Sequence, residues 1–408
     1  VLADKAAGWL FYIALGAAIL TGIIWTAISG FNLSVIERVA TVLVIACPHA
    51  LGLAIPLVVA NATKLGAKNG ILVRDRLALE KVREVDTILF DKTGTLTKGS
   101  LGVVGYQTLP GEEPLLSLAI AAAVEGDSEH PISKAFQAAI TDKNLTQPKT
   151  TNFQAIKGRG VSADTESNRY WVGGPRLLEM LELQLPQELK TFEQEASADG
   201  QSVVHLVQAA LDGTHPSVQA SFALSDVIRP ESRKAIEELQ ARGIKVAIVT
   251  GDSEAVARSV AQKLGVETVF AQVLPENKDA MVAELQKKGE MIAMVGDGIN
   301  DAPALTRADI GIAIGAGTDV AIESSGIILV KSDPMDVVKL LRLSELNYRK
   351  MIQNLIWAAG YNLLAIPLAA GVLAPFNIVL SPAVGALLMS LSTIIVAINS
   401  QLMNRVKL

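Results

Sequence analysis

The sequence predicts a multi-domain membrane protein, in which α-helical transmembrane spans carry a large water-soluble α/β part of the doubly wound, Rossmann type. Half of the 408 residues are hydrophobic, but their distribution is uneven. Residues 6–36, 39–63 and 351–404 contain no Asp, Glu, Lys or Arg, whereas 64–350 holds all but six of the 36 basic and 41 acidic side chains. Within 64–350, short apolar runs alternate with amphipathic helical patterns, which is typical of a parallel sheet.

The charge balance and the cysteine count exclude several classes of protein. Residues 64–350 carry 32 basic and 39 acidic side chains, so this part lacks the basic excess of a nucleic-acid binder. Cys47 is the one cysteine in the chain, which excludes a disulfide framework. We therefore expect no nucleic-acid partner, and we expect the lipid bilayer as a partner.

Four membrane spans are predicted, because a spanning helix needs about 20 apolar residues. Ala7–Ser29 and Val39–Thr63 supply one span each, and Met351–Asn404 is long enough for two. Four spans place both chain ends and the 64–350 part on one side, where Lys and Arg residues flank the spans. The positive-inside rule then predicts a multi-pass protein with a cytoplasmic large part. We expect its location to be the plasma (inner) membrane, although the charge pattern does not specify the membrane.

The second predicted span contains an unusual Cys47-Pro48-His49 sequence. Pro48 lacks an amide hydrogen and its ring clashes with the preceding turn, so the helix must kink or unwind there. Such a break lets the Cys47 thiolate and the His49 imidazole converge, and this ligand pair suits copper, silver or zinc. On the residues alone, a packing histidine beside an inert buried cysteine explains the tripeptide equally well. Met389 in the last span offers a further soft ligand and is equally ambiguous.

Five strands of the predicted strand–helix alternation lie in the water-soluble part, with amphipathic segments such as Glu231–Arg242 and Lys278–Lys288 before some of them. These strands are Thr87–Phe90, Val246–Val249, Met291–Val295, Ile310–Ile314 and Gly326–Val330. Three of them end at acidic turns rich in Gly or Thr, namely Asp91–Thr97, Thr250–Asp252 and Gly296–Asp301. Ligands of open α/β sheets bind outside the carboxyl ends of strands, so we expect the three turns to form one site.

The residue types of these turns indicate phosphoryl-transfer chemistry. The sequence contains no Gly-Lys pair and therefore no Walker-type phosphate loop. Convergent carboxylates suit a magnesium ion together with a carboxylate nucleophile, and an aspartyl phosphate divides one difficult step into two easier ones. Lys278, at the head of a predicted helix, is a candidate for the cation that stabilises charge on the transferred group.

Residues 100–220 interrupt the strand–helix alternation and are predicted to form a smaller inserted domain. Candidate strands there include Tyr170–Val172 and Val203–Gln208. The segment also has a Gly-x-Gly turn, which is weak evidence for nucleotide binding by itself because such turns are common in hairpins. The candidate functional residues of this segment are Glu125, His130, Gly158 and Gly160.

The motifs of the three turns are DKTGTLT at 91–97, TGD at 250–252 and GDGIND at 296–301. Together they resemble the signature of P-type ATPases, which share a haloacid-dehalogenase-like core. Cys47-Pro48-His49 and the Ser-Glu-His-Pro sequence at 128–131 resemble the heavy-metal-transporting, or CPx, subfamily. The sequences Tyr361-Asn362 and Met389–Thr393 are similar to those of CopB-type copper exporters.

The resemblance implies a role for each matching residue. Asp91 is expected to be phosphorylated by ATP, and Asp297 to hold Mg²⁺ together with Asp91 and the carbonyl of Thr93. The residues expected to contact the phosphoryl group or complete the site are Lys92, Thr250, Gly251, Asp252, Lys278, Asn300 and Asp301. The expected ligands of the adenosine part of ATP are Glu125, His130, Gly158 and Gly160. The expected ligands of the transported metal are Cys47, His49 and Met389, with Tyr361, Asn362 and Ser390 as further candidates.

The resemblance also implies a division of the chain. Residues 1–66 and 346–408 are predicted to form two transmembrane helices each, 67–99 and 221–345 the phosphorylation domain, and 100–220 an α+β nucleotide-binding domain. The family has further N-terminal helices and an actuator domain with a Thr-Gly-Glu loop, and this sequence contains no Thr-Gly-Glu. We therefore expect that the chain begins partway through the protein and that the missing parts are its partners. Alone, it is expected to bind ATP without completing turnover.

The favoured hypothesis is ATP-driven export of a soft metal ion with an aspartyl phosphate as the reaction intermediate. Copper is the favoured ion. A pump for silver, zinc or cadmium uses the same ligand types and stays open as an alternative. Alternatives from other classes are a membrane-tethered phosphatase with the same core fold and a non-catalytic metal sensor. Replacement of Cys47 by serine separates the pump from the phosphatase, because a phosphatase does not depend on a metal ligand in the membrane.

Overall fold

The computed structural model describes residues 2–46, 49–128, 130–297, 299–315, 319–376 and 378–408, with the side chains of 2–7, 49–51, 275 and 299 excepted. The chain forms two compact units. Unit 1 comprises residues 1–84, 326–330 and 336–408, and unit 2 comprises residues 85–325 and 331–335.

The α-helices and β-strands of the described residues are numbered in chain order. The helices are α1 (Leu2–Ser29), α2 (Leu33–Ile45), α3 (His49–Lys68), α4 (Arg76–Lys81), α5 (Pro114–Val124), α6 (Pro131–Asp142), α7 (Pro175–Met180), α8 (Gln187–Ala198), α9 (Pro230–Ala241), α10 (Glu254–Leu264), α11 (Lys278–Lys287), α12 (Ala302–Arg307), α13 (Asp319–Ser324), α14 (Met335–Ala369) and α15 (Pro382–Leu402). The strands are β1 (Ile71–Val73), β2 (Thr87–Asp91), β3 (Thr97–Thr108), β4 (Thr151–Ile156), β5 (Gly160–Asp164), β6 (Asn168–Gly173), β7 (Ser202–Ala210), β8 (Ser217–Ile228), β9 (Lys245–Val249), β10 (Thr268–Phe270), β11 (Ile292–Gly296), β12 (Ile310–Ile314) and β13 (Ile327–Leu329).

Unit 1 contains the predicted membrane spans. Among the described residues, two helical segments are long and apolar enough to cross a membrane, Gly8–Ser29 and Pro382–Arg405, and these match the first and last predicted spans. The second predicted span is divided between α2, which ends at Ile45, and α3, which begins at His49. The third lies in the last part of α14, a single helix of 35 residues. The four-span topology stays a prediction.

Small residues allow close packing between the helices of unit 1. Ala14 and Ala18 of α1 are buried against Val42 of α2 and Ala365 of α14. A Cβ atom at Gly385 of α15 would lie 2.6 Å from the side chain of Ile45, so α15 approaches α2 closely because this position is glycine. Glycine and alanine at such contacts are typical of helices that associate in a membrane.

Unit 2 contains a parallel sheet with the strand order β12-β11-β2-β9-β10. Its strands are mostly apolar, as expected for strands covered by helices on both faces, and Leu89, Met294 and Val249 are buried in its core. Strand β12 has the predicted bounds, and β2, β9 and β11 begin or end within one residue of them. The predicted α/β fold is confirmed.

The chain between β2 and β9 forms a second, antiparallel sheet of six strands with the order β3-β8-β7-β6-β5-β4. Alternate residues of its strands face opposite sides, so Tyr170 and Phe222 pack with α5 and α6, whereas Trp171 packs with α7 and α8. Strands β3 and β8 carry the chain into and out of this sheet. The predicted domain boundaries at residues 100 and 220 lie inside these two strands.

Candidate functional site

The ends of three adjacent parallel strands position the candidate phosphoryl-transfer site. Asp91 is the last residue of β2, Thr250 follows β9, and Asp297 follows β11. The residues just before these positions, including Phe90 and Val249, are almost completely buried, so the sheet core fixes the strand ends. The three predicted turns therefore meet at one edge of the sheet.

Three carboxylates and one lysine form the centre of this site. Oxygen atoms of Asp91, Asp297 and Asp301 lie within 4.8 Å of one another. The Lys278 Nζ atom donates hydrogen bonds to Asp91 Oδ1 at 2.5 Å and to Asp301 Oδ1 at 2.7 Å. Because magnesium prefers oxygen ligands, this donor set fits the predicted Mg²⁺ ion, and Asp301 adds a carboxylate beside the predicted Asp91 and Asp297.

Burial and the charge of Asp301 disfavour ionisation of Asp91 and Asp297. The pKa of Asp91 is raised to about 7, first by burial and then by the nearby Asp301 carboxylate, while Lys278 acts in the opposite direction. Burial and Asp301 also raise the pKa of Asp297. Burial by itself would lower the pKa of Lys278, but Asp91 and Asp301 outweigh it and raise the pKa above its usual value. A divalent cation would favour the ionised carboxylates, as the predicted magnesium site requires.

A glycine allows the turn Asp91–Thr97 to approach Asp297, and we call this turn the phosphorylation loop because phosphorylation of Asp91 is predicted. Gly94 has a φ of +76°, which L-residues rarely adopt, and a Cβ atom there would overlap the Asp297 carboxylate. Thr93, whose carbonyl is the predicted magnesium ligand, comes directly before this glycine. The glycine is thus a steric requirement of the site.

Lys92 joins the second predicted turn to the phosphorylation loop. Its Nζ atom lies 2.7 Å from Asp252 Oδ2 and 3.6 Å from Asp226 Oδ2. The Thr250 hydroxyl donates to Asp252 Oδ2 at 2.9 Å, which fixes the orientation of that carboxylate. The other two predicted site residues, Gly251 and Asn300, are exposed at the edge of the site.

Two functional candidates that sequence reasoning missed lie where the chain returns from the inserted sheet. The Arg229 guanidinium donates to the carbonyls of Gly94 and Thr95 at 2.9 and 3.2 Å. The carboxylate of Asp226 accepts a hydrogen bond of 2.5 Å from the Thr97 hydroxyl. The sequence does show Asp226 and Arg229 three residues apart at the end of an apolar run. Their contacts with the phosphorylation loop could not be predicted, because these contacts join residues more than 120 positions apart.

The four predicted nucleotide-binding residues line one cavity of about 440 Å³ in the inserted domain. The Glu125 carboxyl is buried at the end of α5, and its Oε2 atom has no hydrogen-bond partner among the described residues. Burial raises the pKa of this carboxyl to about 7, against a smaller opposite effect of a hydrogen bond with Ser128. The Nδ1 atom of His130 accepts a hydrogen bond of 3.3 Å from the amide of Ile132 and so caps α6. The other lining residues predicted from the sequence are Gly158 and Gly160.

The predicted site for the transported metal is described only in part. Cys47, Pro48 and the side chain of His49 lie outside the described residues. The Tyr361 hydroxyl donates to the carbonyl of Ile45, at the end of α2, at 3.2 Å. The side chain of Asn362 is buried, and neither of its polar atoms has a hydrogen-bond partner among the described residues.

The two candidates on α15 differ in exposure. Met389 is half-buried, whereas Ser390 is exposed and donates to the carbonyl of Ala386 on its own helix at 3.0 Å. A hydroxyl that bonds back to its own helix is common in membrane helices and does not require a ligand role. The metal-binding roles of these residues stay predictions.

Comparisons with known proteins agree with the chemistry of the site. The haloacid dehalogenase-like hydrolase family matches residues 85–309, more than half of the chain. The copper-exporting P-type ATPase B of Archaeoglobus fulgidus is 48% identical over 98% of this chain and 56% of its own length. The copper-exporting P-type ATPase B of Enterococcus hirae is 43% identical over 98% of this chain and 52% of its own. The chain thus spans little more than half the length of these relatives.

Solved structures support the same assignment. One crystal structure of a zinc-transporting PIB-type ATPase matches with a TM-score of 0.79 and 29% identity, over 96% of this chain and 62% of that chain. A second crystal structure of a zinc-transporting PIB-type ATPase, in another state, matches with a TM-score of 0.76 and 30% identity, over 97% of this chain and 62% of that chain. The chain therefore belongs to the haloacid dehalogenase-like hydrolase family and, within it, to the heavy-metal CPx type of P-type ATPases.

Proposed function

We propose that this chain provides the phosphorylated and metal-binding parts of an ATP-driven copper exporter. The observation that carries the proposal is the buried group of Asp91, Lys278 and Asp301 beside Asp297, at the ends of adjacent parallel strands. This group combines a carboxylate nucleophile, a cation for the transferred charge and oxygen ligands for magnesium.

The proposed chemical step transfers the γ-phosphoryl group of ATP to Asp91. A carboxylate oxygen of Asp91 forms a bond to the γ-phosphorus, the bond from that phosphorus to the β–γ bridging oxygen breaks, and ADP leaves with the electron pair. Lys278 stabilises negative charge next to the reacting carboxylate, and Lys92 places a second ammonium group in the same site. Asp91, Asp297 and the Thr93 carbonyl would hold magnesium, which would supply further positive charge beside the phosphates.

In this proposal the inserted domain delivers the nucleotide. The cavity lined by Glu125, His130 and the two glycines takes the adenosine part, and Lys157 and Arg159 in its wall add positive charge. Strands β3 and β8 are the two connections between the inserted and parallel sheets, so they are the natural hinge for bringing the γ-phosphate to Asp91.

Copper is the proposed cargo, with Cys47, His49 and Met389 as its ligands. The relatives with 43–48% identity are named as copper exporters, whereas the structures of zinc transporters share 29–30% identity. Sulfur and imidazole ligands suit copper but also silver and zinc. We further propose the five-segment division given above and a plasma (inner) membrane location. The proposed cytoplasmic placement of unit 2 rests on the distribution of Lys and Arg around the spans.

Acid-stable labelling of the solubilised chain with ATP that carries radioactive γ-phosphate tests the proposal. We expect label in the presence of Mg²⁺, no label in Asp91→Asn, and stimulation by Cu⁺ above that by Ag⁺ or Zn²⁺. Labelling that is stimulated by Zn²⁺ alone would identify zinc, and not copper, as the transported ion. Label that requires Asp91 but ignores every metal would favour the membrane-tethered phosphatase, and label retained in Asp91→Asn would contradict the proposed nucleophile.

A further inference from the structure

A chain of buried and partly buried hydrogen bonds connects three helices of unit 1 on the predicted cytoplasmic side of the predicted metal site. It comprises Lys350 and Asn354 of α14, Asn399 and Ser400 of α15, and the carbonyl of Ala54 of α3, and we call it the Asn354 network. Neither the phosphorylation chemistry nor the metal ligands given above account for these polar groups.

The hydrogen bonds run in one direction, from Lys350 to α3. Lys350 Nζ donates to Asn399 Oδ1 at 2.7 Å, and Asn399 Nδ2 donates to Asn354 Oδ1 at 2.7 Å. Asn354 Nδ2 then donates to the carbonyl of Ala54 at 3.0 Å and to the Ser400 hydroxyl at 2.7 Å. A lysine ammonium can only donate, so it fixes the orientation of the first carboxamide and, through it, of the second.

The environment of the network is apolar and tightly packed. Asn354 and Ser400 are fully buried, and the neighbouring Ala54, Ala358 and Val396 form an apolar cluster. An unpaired carboxamide there would lose its hydration without replacement, whereas both polar atoms of the Asn354 side chain have partners. A fully paired buried network of this kind holds its helices in one relative position.

On each of the three helices the network lies about 7 to 15 Å from the predicted metal ligand, measured along the helix axis. At 1.5 Å per residue, Ala54 is about 7 Å along α3 from His49, and Asn354 is about 12 Å along α14 from Asn362. Asn399 is about 15 Å along α15 from Met389 by the same measure. All three displacements are toward the cytoplasmic ends of the helices, so one layer of hydrogen bonds supports all three ligand-bearing segments.

We propose that Asn354 and Asn399 are positioning residues for the transported metal. They hold the first turns of α3, which begins at His49, against α14 and α15, so that ligands from three helices stay in register. The proposal rests on the proposed function for the identity of the metal, but the positioning of α3 can be tested without any metal.

The test measures the affinity of the solubilised full chain for Ag⁺, a soft and redox-inert probe, by competition with a chelator. Loss of groups that orient metal ligands typically weakens affinity about 10- to 100-fold. We expect at least about a ten-fold loss in Asn354→Leu and Asn399→Leu, a loss in Lys350→Met, and recovery in Lys350→Arg because a donor is restored. Asn347→Leu is the matched control, since Asn347 is buried on the same helix and its carboxamide donates to Met351 Sδ, within α14.

Hydrogen exchange of the α3 amides in the absence of metal gives the second readout. We expect faster exchange near Ala54 in Asn354→Leu and not in Asn347→Leu. Unchanged Ag⁺ affinity and unchanged exchange in Asn354→Leu would overturn the inference, as would an equal loss in the control. If the unmodified chain binds no Ag⁺, the proposed function fails, and the exchange rates alone decide whether the network positions α3.

Discussion

At the scale of single residues, Gly94 determines how closely the phosphorylation loop approaches Asp297. Its positive φ is strained for other residues, and its missing Cβ leaves space for the Asp297 carboxylate. The effect of the positive φ can be separated from the effect of the missing Cβ by comparison with Gly243. That glycine has a similar φ of +80°, but no atom lies within 4 Å of the position that its Cβ would take.

We predict that Gly94→Ala lowers the rate of phosphorylation roughly 100-fold, since a displacement of about 1 Å in a reacting site can have that effect. Gly243→Ala serves as the control: it introduces similar backbone strain, of about 1 kcal/mol, and should leave the rate unchanged. The measurement is the rate of acid-stable labelling by ATP. Equal rates in the two variants would show that the Asp297 contact is unimportant.

Glu125, which lines the proposed nucleotide cavity, links the stability of the fold to pH. Burial raises its pKa in the folded protein to about 7, above its ordinary value of 4.5. The folded state therefore binds the proton more tightly than the unfolded state, so this group favours folding at low pH and loses that contribution as the pH rises from 4.5 through 7. At alkaline pH the buried carboxylate destabilises the fold by at most roughly 3 kcal/mol.

We predict that Glu125→Gln raises the free energy of unfolding at about pH 8 and that this gain shrinks toward about pH 5. Urea unfolding of the solubilised chain, monitored by proteolysis of the inserted domain, measures the difference. Glu195→Gln, at an exposed position of α8, should have no effect at either pH. A Glu125→Gln variant that is only as stable as the unmodified chain at the higher pH would disprove the burial argument.

At the scale of elements, the return strand β8 and helix α9 support the phosphorylation loop. Arg229 binds two carbonyls of that loop, and the Ser232 hydroxyl donates to the carbonyl of Leu96 at 2.7 Å. These contacts link the proposed hinge to the shape of the reacting site, so hinge motion and loop geometry are connected through the start of α9.

We predict that Arg229→Met slows phosphorylation at least about ten-fold and that Arg229→Lys recovers part of the rate, because a lysine cannot bridge both carbonyls in the planar geometry of a guanidinium. Arg233→Met is the control, since Arg233 lies on the same helix in an exposed pair with Glu237 that contributes little. The rate of acid-stable labelling at saturating ATP is the measurement. Equal rates for Arg229→Met and Arg233→Met would contradict the role of Arg229.

The elements of the parallel sheet could be predicted because local patterns determine them. Apolar runs such as Ile310–Ile314 form strands whose side chains are buried on both faces, and the turns that follow carry the reactive groups. The roles of Arg229 and Asp226 could not be predicted, because they depend on contacts between strands far apart in the sequence. The Asn354 network was hidden for a similar reason, because its hydrogen bonds join residues of three different helices.

At the scale of the whole molecule, we assign phosphorylation to unit 2 and metal binding to unit 1. The chemistry of the Asp91 site requires no membrane, and soft ligands in the predicted second span require no ATP. A transporter needs the two events to be coupled, and coupling is a free energy that each site exerts on the other. The central claim is therefore that metal bound at Cys47 controls phosphorylation of Asp91.

The most direct test of this claim is a Cu⁺ titration of acid-stable phosphorylation in the unmodified chain and in Cys47→Ser. We predict that Cu⁺ raises the phosphorylated fraction in the unmodified chain and has no such effect in Cys47→Ser, while both bind ATP equally. Identical titration curves for the two proteins would contradict the claim, because phosphorylation would then be independent of the metal ligand in the membrane.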